Sequence, residues 1–133
     1  MKTHHIAFWT NDMAKMETFY QLHFRGKVLF RHSIKDFQCI FMRICEGVLI
    51  EFMSRPELPT EDLCERVGYS HLSLEVESRE EVNRLTEYFR EQNVPLVKDR
   101  EQYNDGFYES AIRDPDGNII ELAYVDRSVN PMV

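Results

Sequence analysis

The chain has 133 residues, of which 43% are hydrophobic and 12% aromatic, and this composition is typical of a globular protein rather than a disordered segment. Its net charge of −7 has no basic cluster to offset it, so we expect neither nucleic acid nor an anionic membrane surface as a partner. The sequence has no recognisable secretory leader and no apolar run near the ~18 residues of a membrane span. These features predict a cytoplasmic protein. Cys39, Cys45 and Cys64 form no CxxC pair, so we expect free, mostly buried thiols.

The first part of the chain predicts one strand, a helix and three more strands. Apolar residues recur every three or four positions up to Phe24, which predicts an amphipathic helix that starts after a cap at Asn11 or Asp12. The predicted strands are 4–9, 27–31, 37–44 and 48–53. Residues 56–66 contain two prolines, Pro56 and Pro59, and are predicted to be a linker.

The second part repeats this order. Ser78-Arg79-Glu80-Glu81 is a capping box for a helix that runs to about residue 92. The predicted strands are 71–76, 95–98, 107–113 and 119–125, with a turn at Asp114-Pro115-Asp116-Gly117 before the last of them. The polar stretch 99–106 is predicted to be a loop, and it could lie over a pocket.

The two parts are copies of one pattern. THHIAFWTNDMAKMETFYQLHF aligns with YSHLSLEVESREEVNRLTEYFR, and GVLIEF aligns with GNIIEL. These alignments match His5 with His71 and Glu51 with Glu121. We therefore predict an α+β fold of two tandem βαβββ modules, at about 1–55 and 67–126, that together form one domain over 1–133.

The matched residues are candidates for a metal centre. Side chains alternate along a strand, so Glu51 and Glu121 each have apolar neighbours on their own face, where an unpaired carboxylate is costly. A lone Glu is more often solvated and a lone His more often structural, but a matched set favours ligation. Two imidazoles and two carboxylates suit one divalent transition metal such as Zn, Ni, Co, Mn or Fe, with positions left open for a substrate.

The chain resembles the vicinal oxygen chelate superfamily, which includes glyoxalase I, bleomycin and fosfomycin resistance proteins and extradiol dioxygenases. The segments that carry the resemblance are HHIAFWTND, METFYQLHF, VLIEFMSRP, GYSHLSLEV and DPDGNIIEL, in this order. The resemblance implies that His5, Glu51, His71 and Glu121 are the metal ligands, as in glyoxalase I, with Zn or Ni favoured. It also implies a curved mixed sheet around the metal and a homodimer, in which the ligands of one ion come from one chain or from two.

The implied activity is that of a glyoxalase I-like lyase or isomerase, which moves a proton on a small substrate chelated through vicinal oxygens. The resemblance assigns the catalytic base to Glu121, with Glu51 as the second candidate. Small glyoxalase I enzymes carry an arginine where this chain has Trp9, which argues against glutathione as a co-substrate. Trp9, Phe41 and Phe107 instead suggest a pocket for a flatter or more apolar ligand, although core packing explains aromatic residues equally well.

Two other functions remain open at this point. One is a ligand-binding dimer of the bleomycin-resistance type, which needs no catalytic metal, although such a protein has no chemical reason to hold a complete ligand set. The other is an Fe(II) dioxygenase, which is disfavoured because a fourth protein ligand, Glu51, would occupy a position that oxygen needs.

Overall fold

The computed structural model describes residues 2–60 and 67–131, and the chain divides into two compact units at about residue 62. Each unit has the element order strand, helix, strand, strand, strand, and each contains one four-stranded mixed sheet. The predicted α+β fold of two tandem βαβββ modules is therefore confirmed. We call the two units module 1 and module 2. Cys64 and the linker residues 61–66 lie outside the described residues.

Module 1 contains five elements. They are β1 (Ile6–Trp9), α1 (Met13–Phe24), β2 (Lys27–Ile34), β3 (Phe37–Cys45) and β4 (Val48–Ser54). The strand order in the sheet is β1-β4-β3-β2, with β1 parallel to β4 and the other neighbours antiparallel. Helix α1 separates β1 from β2 in the chain, and β1 lies beside β4, the last strand of the module, rather than beside β2.

Module 2 has the same arrangement. Its elements are β5 (His71–Glu75), α2 (Arg79–Glu91), β6 (Leu96–Gln102), β7 (Phe107–Arg113) and β8 (Ile119–Val125). The strand order is β5-β8-β7-β6, with β5 parallel to β8. The predicted turn before β8 is confirmed, since Gly117 has a φ of 87° and Asp114 Oδ1 accepts the backbone N–H groups of Asp116 and Asn118.

The ends of both helices follow from their capping residues. Asp12 accepts a hydrogen bond from the backbone N–H of Lys15, and Ser78 accepts one from that of Glu81, so each side chain satisfies an N–H group that the helix leaves unpaired. Helix α1 ends at Phe24, with Arg25 as its C-cap residue, and Gly26 follows. A Cβ on Gly26 would lie 2.9 Å from the carbonyl oxygen of Tyr20, so only glycine allows the chain to turn this close to the helix.

Each helix packs on one face of its own sheet and leaves the other face uncovered by a helix. In module 1 the Tyr20 ring packs on Phe52 at 5.0 Å, and both side chains are buried. In module 2 Val82 and Phe89 are buried, and the hydroxyls of Thr86 and Ser110 hydrogen-bond at 2.7 Å in the core. Phe52 follows Glu51 directly in β4. Since neighbouring side chains in a strand point to opposite faces, the Glu51 side chain lies on the face away from α1.

Three expectations from the sequence are wrong in detail. Strand β6 runs to Gln102, so the predicted loop at 99–106 is reduced to residues 103–106. This strand has no apolar alternation, and its charged side chains form ion pairs instead, including one from Arg100 to Glu87 at 2.8 Å. Strand β1 begins at Ile6, so His5 lies just before it. Cys39 is buried as expected, but Cys45 is exposed.

No helix in the described part of the chain is long and apolar enough to cross a membrane.

Candidate metal centre

The first His and Glu of the predicted set come together in module 1. The parallel pairing of β1 with β4 places Ala7 opposite Glu51, so His5, two residues earlier, reaches the same face of the sheet. The Nε2 atom of His5 lies 3.3 Å from Oε2 of Glu51, and both side chains are partly accessible to solvent. The pair is therefore open to an ion or a ligand.

Module 2 builds the same pair from the matching elements. His71 is the first residue of β5, and the neighbouring β8 carries Glu121 opposite Ser73. The Nε2 atom of His71 lies 3.1 Å from Oε2 of Glu121. Both modules thus direct an imidazole Nε2 at a carboxylate oxygen on the side of the sheet that the helix does not cover.

The second nitrogen of each histidine is also held. The Nδ1 atom of His5 lies 2.8 Å from Nδ1 of His4, and one of these two nitrogens donates its N–H to the other. The Nδ1 atom of His71 lies 3.1 Å from Oγ of Ser70. Strand alternation predicts that His4 points away from His5, but the strand starts later than expected, so the two rings are in contact. A partner on Nδ1 orients an imidazole whose Nε2 binds a metal.

The donor set fits a borderline divalent ion. Imidazole nitrogen with carboxylate oxygen is the ligand chemistry of Zn, Ni, Co, Fe and Mn sites rather than of the all-oxygen sites of Mg or Ca. Within each module, the described residues form no group of three or more His, Cys, Asp or Glu side chains arranged to hold an ion. Since such ions take at least four ligands, one His–Glu pair is half of a shell.

The neighbours of Glu51 are a thiol and an aromatic ring. Phe41 lies opposite Glu51 in β3, and its ring packs edge-on against the His5 ring at 5.3 Å. Cys39, two residues before Phe41 on the same face, is buried. Burial, together with the adjacent Glu51 carboxylate, raises the pKa of the Cys39 thiol. The thiol is therefore neutral at pH 7, and it adds no charge beside Glu51.

The neighbours of Glu121 are different. Ala111 lies opposite Glu121, and Glu109, in the place that Cys39 has in module 1, is buried. Lys98 donates to Glu109 at 2.5 Å and to the Tyr103 hydroxyl at 3.1 Å. Burial lowers the pKa of Lys98, but the hydrogen bonds to Glu109 and Tyr103 outweigh it, so the pKa is raised overall. Lys98 is thus a fixed cation that neutralises the Glu109 carboxylate.

Lys98 is expected to stabilise module 2 through Glu109. The side chains of Lys98 and Glu109 are only 28% and 11% exposed, so Lys98→Met leaves a poorly solvated carboxylate and is expected to cost about 1–2 kcal/mol in the free energy of unfolding. Adding Glu109→Leu removes the unpaired charge and should bring stability back to within about 1 kcal/mol of the parent. Urea unfolding measures the free energy of unfolding of the parent and of both variants.

The control for this prediction is Arg127→Met, which breaks the well-exposed Arg127–Glu75 pair. It is expected to cost less than about 0.5 kcal/mol. If Lys98→Met costs no more than this control, the Lys98–Glu109 pair has no special role in stability.

The three predicted pocket residues all lie on the faces that carry the glutamates. Trp9 pairs with Met53, two residues beyond Glu51, and it is about half exposed with the Arg55 guanidinium 5.0 Å above its ring. Phe41 contacts His5 as described. Phe107, on the strand that carries Ala111, is partly exposed and lies opposite Val125.

Sequence reasoning missed the residues that surround the two pairs. His4 and Ser70 occupy matched places directly before the paired histidines, and this match is visible in the aligned repeats. Cys39 and Glu109 are matched as well, but their types differ, so the repeat gave no signal for them. Lys98 lies within the predicted strand 95–98, but its contact with Glu109 is recognisable only once β6 is known to pair with β7.

Two βαβββ modules, each with one His and one Glu at the same place, define a two-module α+β protein with an internal repeat. The chain belongs to the glyoxalase/bleomycin resistance protein/dioxygenase superfamily, whose family model matches residues 2–122. The resemblance that the sequence motifs indicated is thereby confirmed. No curated protein matches the chain with significance.

Solved structures share the fold at low sequence identity. A glyoxalase/bleomycin resistance protein/dioxygenase domain from Frankia sp. EAN1pec is 20% identical with a TM-score of 0.80, and the match covers 95% of this chain and 98% of that one. The fosfomycin resistance protein FosX from Listeria monocytogenes is 21% identical with a TM-score of 0.75 over 96% and 95%. The trypanothione-dependent glyoxalase I of Leishmania major is 22% identical with a TM-score of 0.70 over 90% and 84%. At these identities the likeness shows the fold alone.

Proposed function

We propose that this protein is a divalent-metal-dependent lyase or isomerase of the glyoxalase I type, with His5, Glu51, His71 and Glu121 as the ligands of one ion per site. The observation that carries the proposal is the repeated geometry, in which Nε2 of His5 and of His71 each face a glutamate at 3.3 and 3.1 Å. A structural His–Glu pair in one module would need no copy in the other. The four ligands of one ion come from one chain or from two chains of a homodimer.

The ion is a transition metal, with Zn or Ni favoured and Co, Mn or Fe as the alternatives. When bound, it would chelate two oxygens on adjacent substrate carbons and stabilise the negative charge that develops on them. A FosX structure with this fold, 20% identical to the chain, contains Mn(II), which supports a divalent ion but does not select one.

Glu121 is the residue to which we assign the proton transfer. Its carboxylate would take the proton from one substrate carbon and return it to the neighbouring carbon, as a general base and then a general acid. Among the described residues, the Glu121 carboxylate contacts His71. The Glu51 carboxylate contacts His5 and also lies beside the Cys39 thiol. Glu121 is therefore the less restrained of the two carboxylates, and Glu51 is the second candidate.

The substrate is a small molecule, and glutathione is not the expected co-substrate. Trp9 stands where small glyoxalase I enzymes have an arginine, and its ring is already covered on one side by Arg55. Nucleic acid and membranes are not expected partners, because the chain is acidic. We assign the protein to the cytoplasm.

A ligand-binding dimer of the bleomycin-resistance type is the second candidate function. The half-exposed Trp9 ring beside the His5 pair favours it, because an apolar binding surface needs no metal to hold a ligand. An Fe(II) dioxygenase remains the third, and it is distinguished by oxygen uptake with a catechol after anaerobic loading with iron.

The first experiment measures the metal content of the protein purified without a His tag. About one transition metal ion per site is expected, and substrates are then sought among α-hydroxy carbonyl compounds with and without glutathione. If the protein is purified without metal and does not bind added Zn, Ni, Co or Mn, the proposed metal-dependent enzyme is wrong. The ligand-binding dimer is then the remaining candidate function.

A further inference from the structure

His4 lies directly before the proposed ligand His5, and the two imidazole rings meet edge to face. The ring centroids are 5.2 Å apart with an interplanar angle of 84°, and the two Nδ1 atoms are 2.8 Å apart. Two ring nitrogens this close share a proton, because two bare lone pairs or two N–H groups would repel each other. One Nδ1 atom therefore carries a hydrogen and the other accepts it.

The direction of this hydrogen bond follows from the role of His5 as a ligand. The Nε2 atom of His5 faces Glu51 at 3.3 Å, and it has to be unprotonated to bind an ion. Since a neutral imidazole carries one proton, the proton of His5 is then on Nδ1 and is donated to Nδ1 of His4. His4 accepts there and carries its own proton on Nε2. Each ring thus has one defined tautomer when the centre is loaded.

Module 2 has a hydrogen-bonding side chain in the matched place. Ser70 directly precedes His71, and its Oγ atom lies 3.1 Å from Nδ1 of His71. The residue types differ between the copies, but in both copies a polar atom of the preceding side chain reaches the same ring nitrogen. A side chain that only preceded the strand would not need to meet Nδ1 twice. The repeat therefore indicates that the contact belongs to the metal centre.

The position of His4 is not explained by core packing. Strand β1 begins only at Ile6, so the two histidines do not alternate as strand residues do. The His4 side chain is exposed, and it lines an open groove with Arg43 and Glu46. Because an exposed residue contributes little to the core, replacing His4 should leave module 1 folded. A change in metal binding can then be attributed to the contact with His5.

From these contacts we propose that His4 is a positioning residue of the metal centre, which accepts the Nδ1–H of His5 and holds the His5 ring with Nε2 towards Glu51. The proposal rests on the proposed function, because it needs His5 to be a ligand. A partner on Nδ1 fixes the orientation of the imidazole and raises its basicity as a ligand. His4 does not bind the ion itself, since its Nδ1 faces His5 and its Nε2 is protonated.

The experiment replaces His4 in two ways that differ in the acceptor. His4→Phe retains a ring against His5 but has no acceptor, whereas His4→Asn places an amide oxygen where Nδ1 was. Competition with a chelator of known affinity measures how tightly each variant binds Zn²⁺. We expect His4→Phe to bind Zn²⁺ about 10- to 100-fold more weakly than the parent, and His4→Asn to regain most of this loss. The matched control is His23→Phe, the same change on α1, which should bind Zn²⁺ as the parent does.

A second measurement reports the hydrogen bond itself. Multiple-bond ¹⁵N–¹H correlation of the histidine rings in the Zn²⁺-loaded parent shows which nitrogen of each ring carries the proton. We expect the proton on Nδ1 of His5 and on Nε2 of His4. In His4→Phe the Nδ1–H of His5 should exchange faster with solvent, because its acceptor is lost. The Nδ1–H of His71, beside Ser70, should exchange as in the parent, whereas a general loss of structure would change both.

The outcomes distinguish a wrong role for His4 from a wrong metal centre. If the parent binds Zn²⁺ and His4→Phe binds it equally well, His4 has no positioning role and the metal centre stands. If His4→Asn is as weak as His4→Phe, or if Nε2 of His4 carries no proton in the loaded parent, His4 does not act as an acceptor and the inference is wrong. A parent that binds no Zn²⁺ overturns the proposed function, and the role of His4 with it.

Discussion

Replacing His71 by alanine is expected to reduce the bound metal from about one ion per site to nearly none. The variant removes the Nε2 atom that lies 3.1 Å from Glu121, and it leaves Glu121 as the only ligand that module 2 supplies. Loss of an outer partner of a ligand weakens metal binding ~10- to 100-fold, so loss of the ligand itself should exceed that range. Competition with a chelator of known affinity measures the change, and elemental analysis of the purified variant checks it.

The control for His71→Ala is His23→Ala. His23 lies on α1, where it packs against Phe19, and it has no counterpart in the repeat, so its removal should leave the metal content unchanged. His5→Ala should match His71→Ala, because the two histidines have the same role in the two modules. A normal metal content in His71→Ala, with His5→Ala metal-free, would limit the centre to module 1.

Glu121→Gln is expected to lower turnover about 10²- to 10⁴-fold, which is the usual contribution of a general base. The amide retains the size of the side chain and can still occupy the site, but it cannot accept a proton from a substrate carbon. The reaction is followed in D₂O by NMR, with an α-hydroxy carbonyl substrate, because the loss of carbon-bound hydrogen reports the proton transfer itself.

Two further variants make the result specific to Glu121. Glu51→Gln, measured with the metal at saturation, should retain at least ten times the activity of Glu121→Gln if Glu121 is the base. Glu75→Gln changes an exposed residue on β5 that pairs with Arg127, and it should leave turnover unchanged. If Glu51→Gln is the more impaired variant, the base is Glu51.

The repeated fold and the two His–Glu pairs were predictable because their signals are local or repeated. Amphipathic periodicity located α1 and α2, and the caps at Asp12 and Ser78 set where they start. The alignment of the two copies then matched His5 with His71 and Glu51 with Glu121. A local pattern that occurs twice needs no knowledge of strand pairing to be recognised.

Strand pairing decided the surroundings of these residues, and pairing depends on segments far apart in the chain. Cys39 approaches Glu51 because β3 and β4 pair in one particular register, and the contact between His4 and His5 exists because β1 starts only at Ile6. Strand β6 continues to Gln102 because Glu101 and Gln102 pair with Glu109 and Tyr108 of β7, and a search for apolar alternation does not detect a polar strand of this kind.

The aromatic residues on the Glu51 face show most clearly which features only the tertiary structure determines. Sequence alternation places Val28 and Phe30 on the same side of β2, but a bulge between them pairs Val28 with Met42 and Phe30 with Phe41. Because Met42 and Phe41 are adjacent and point to opposite faces, the bulge moves Phe30 to the side of Glu51. The sequence by itself determined two modules with matched His and Glu residues, whereas the tertiary structure decided which aromatic rings lie on the same face as Glu51, since one inserted residue reverses the face of a strand.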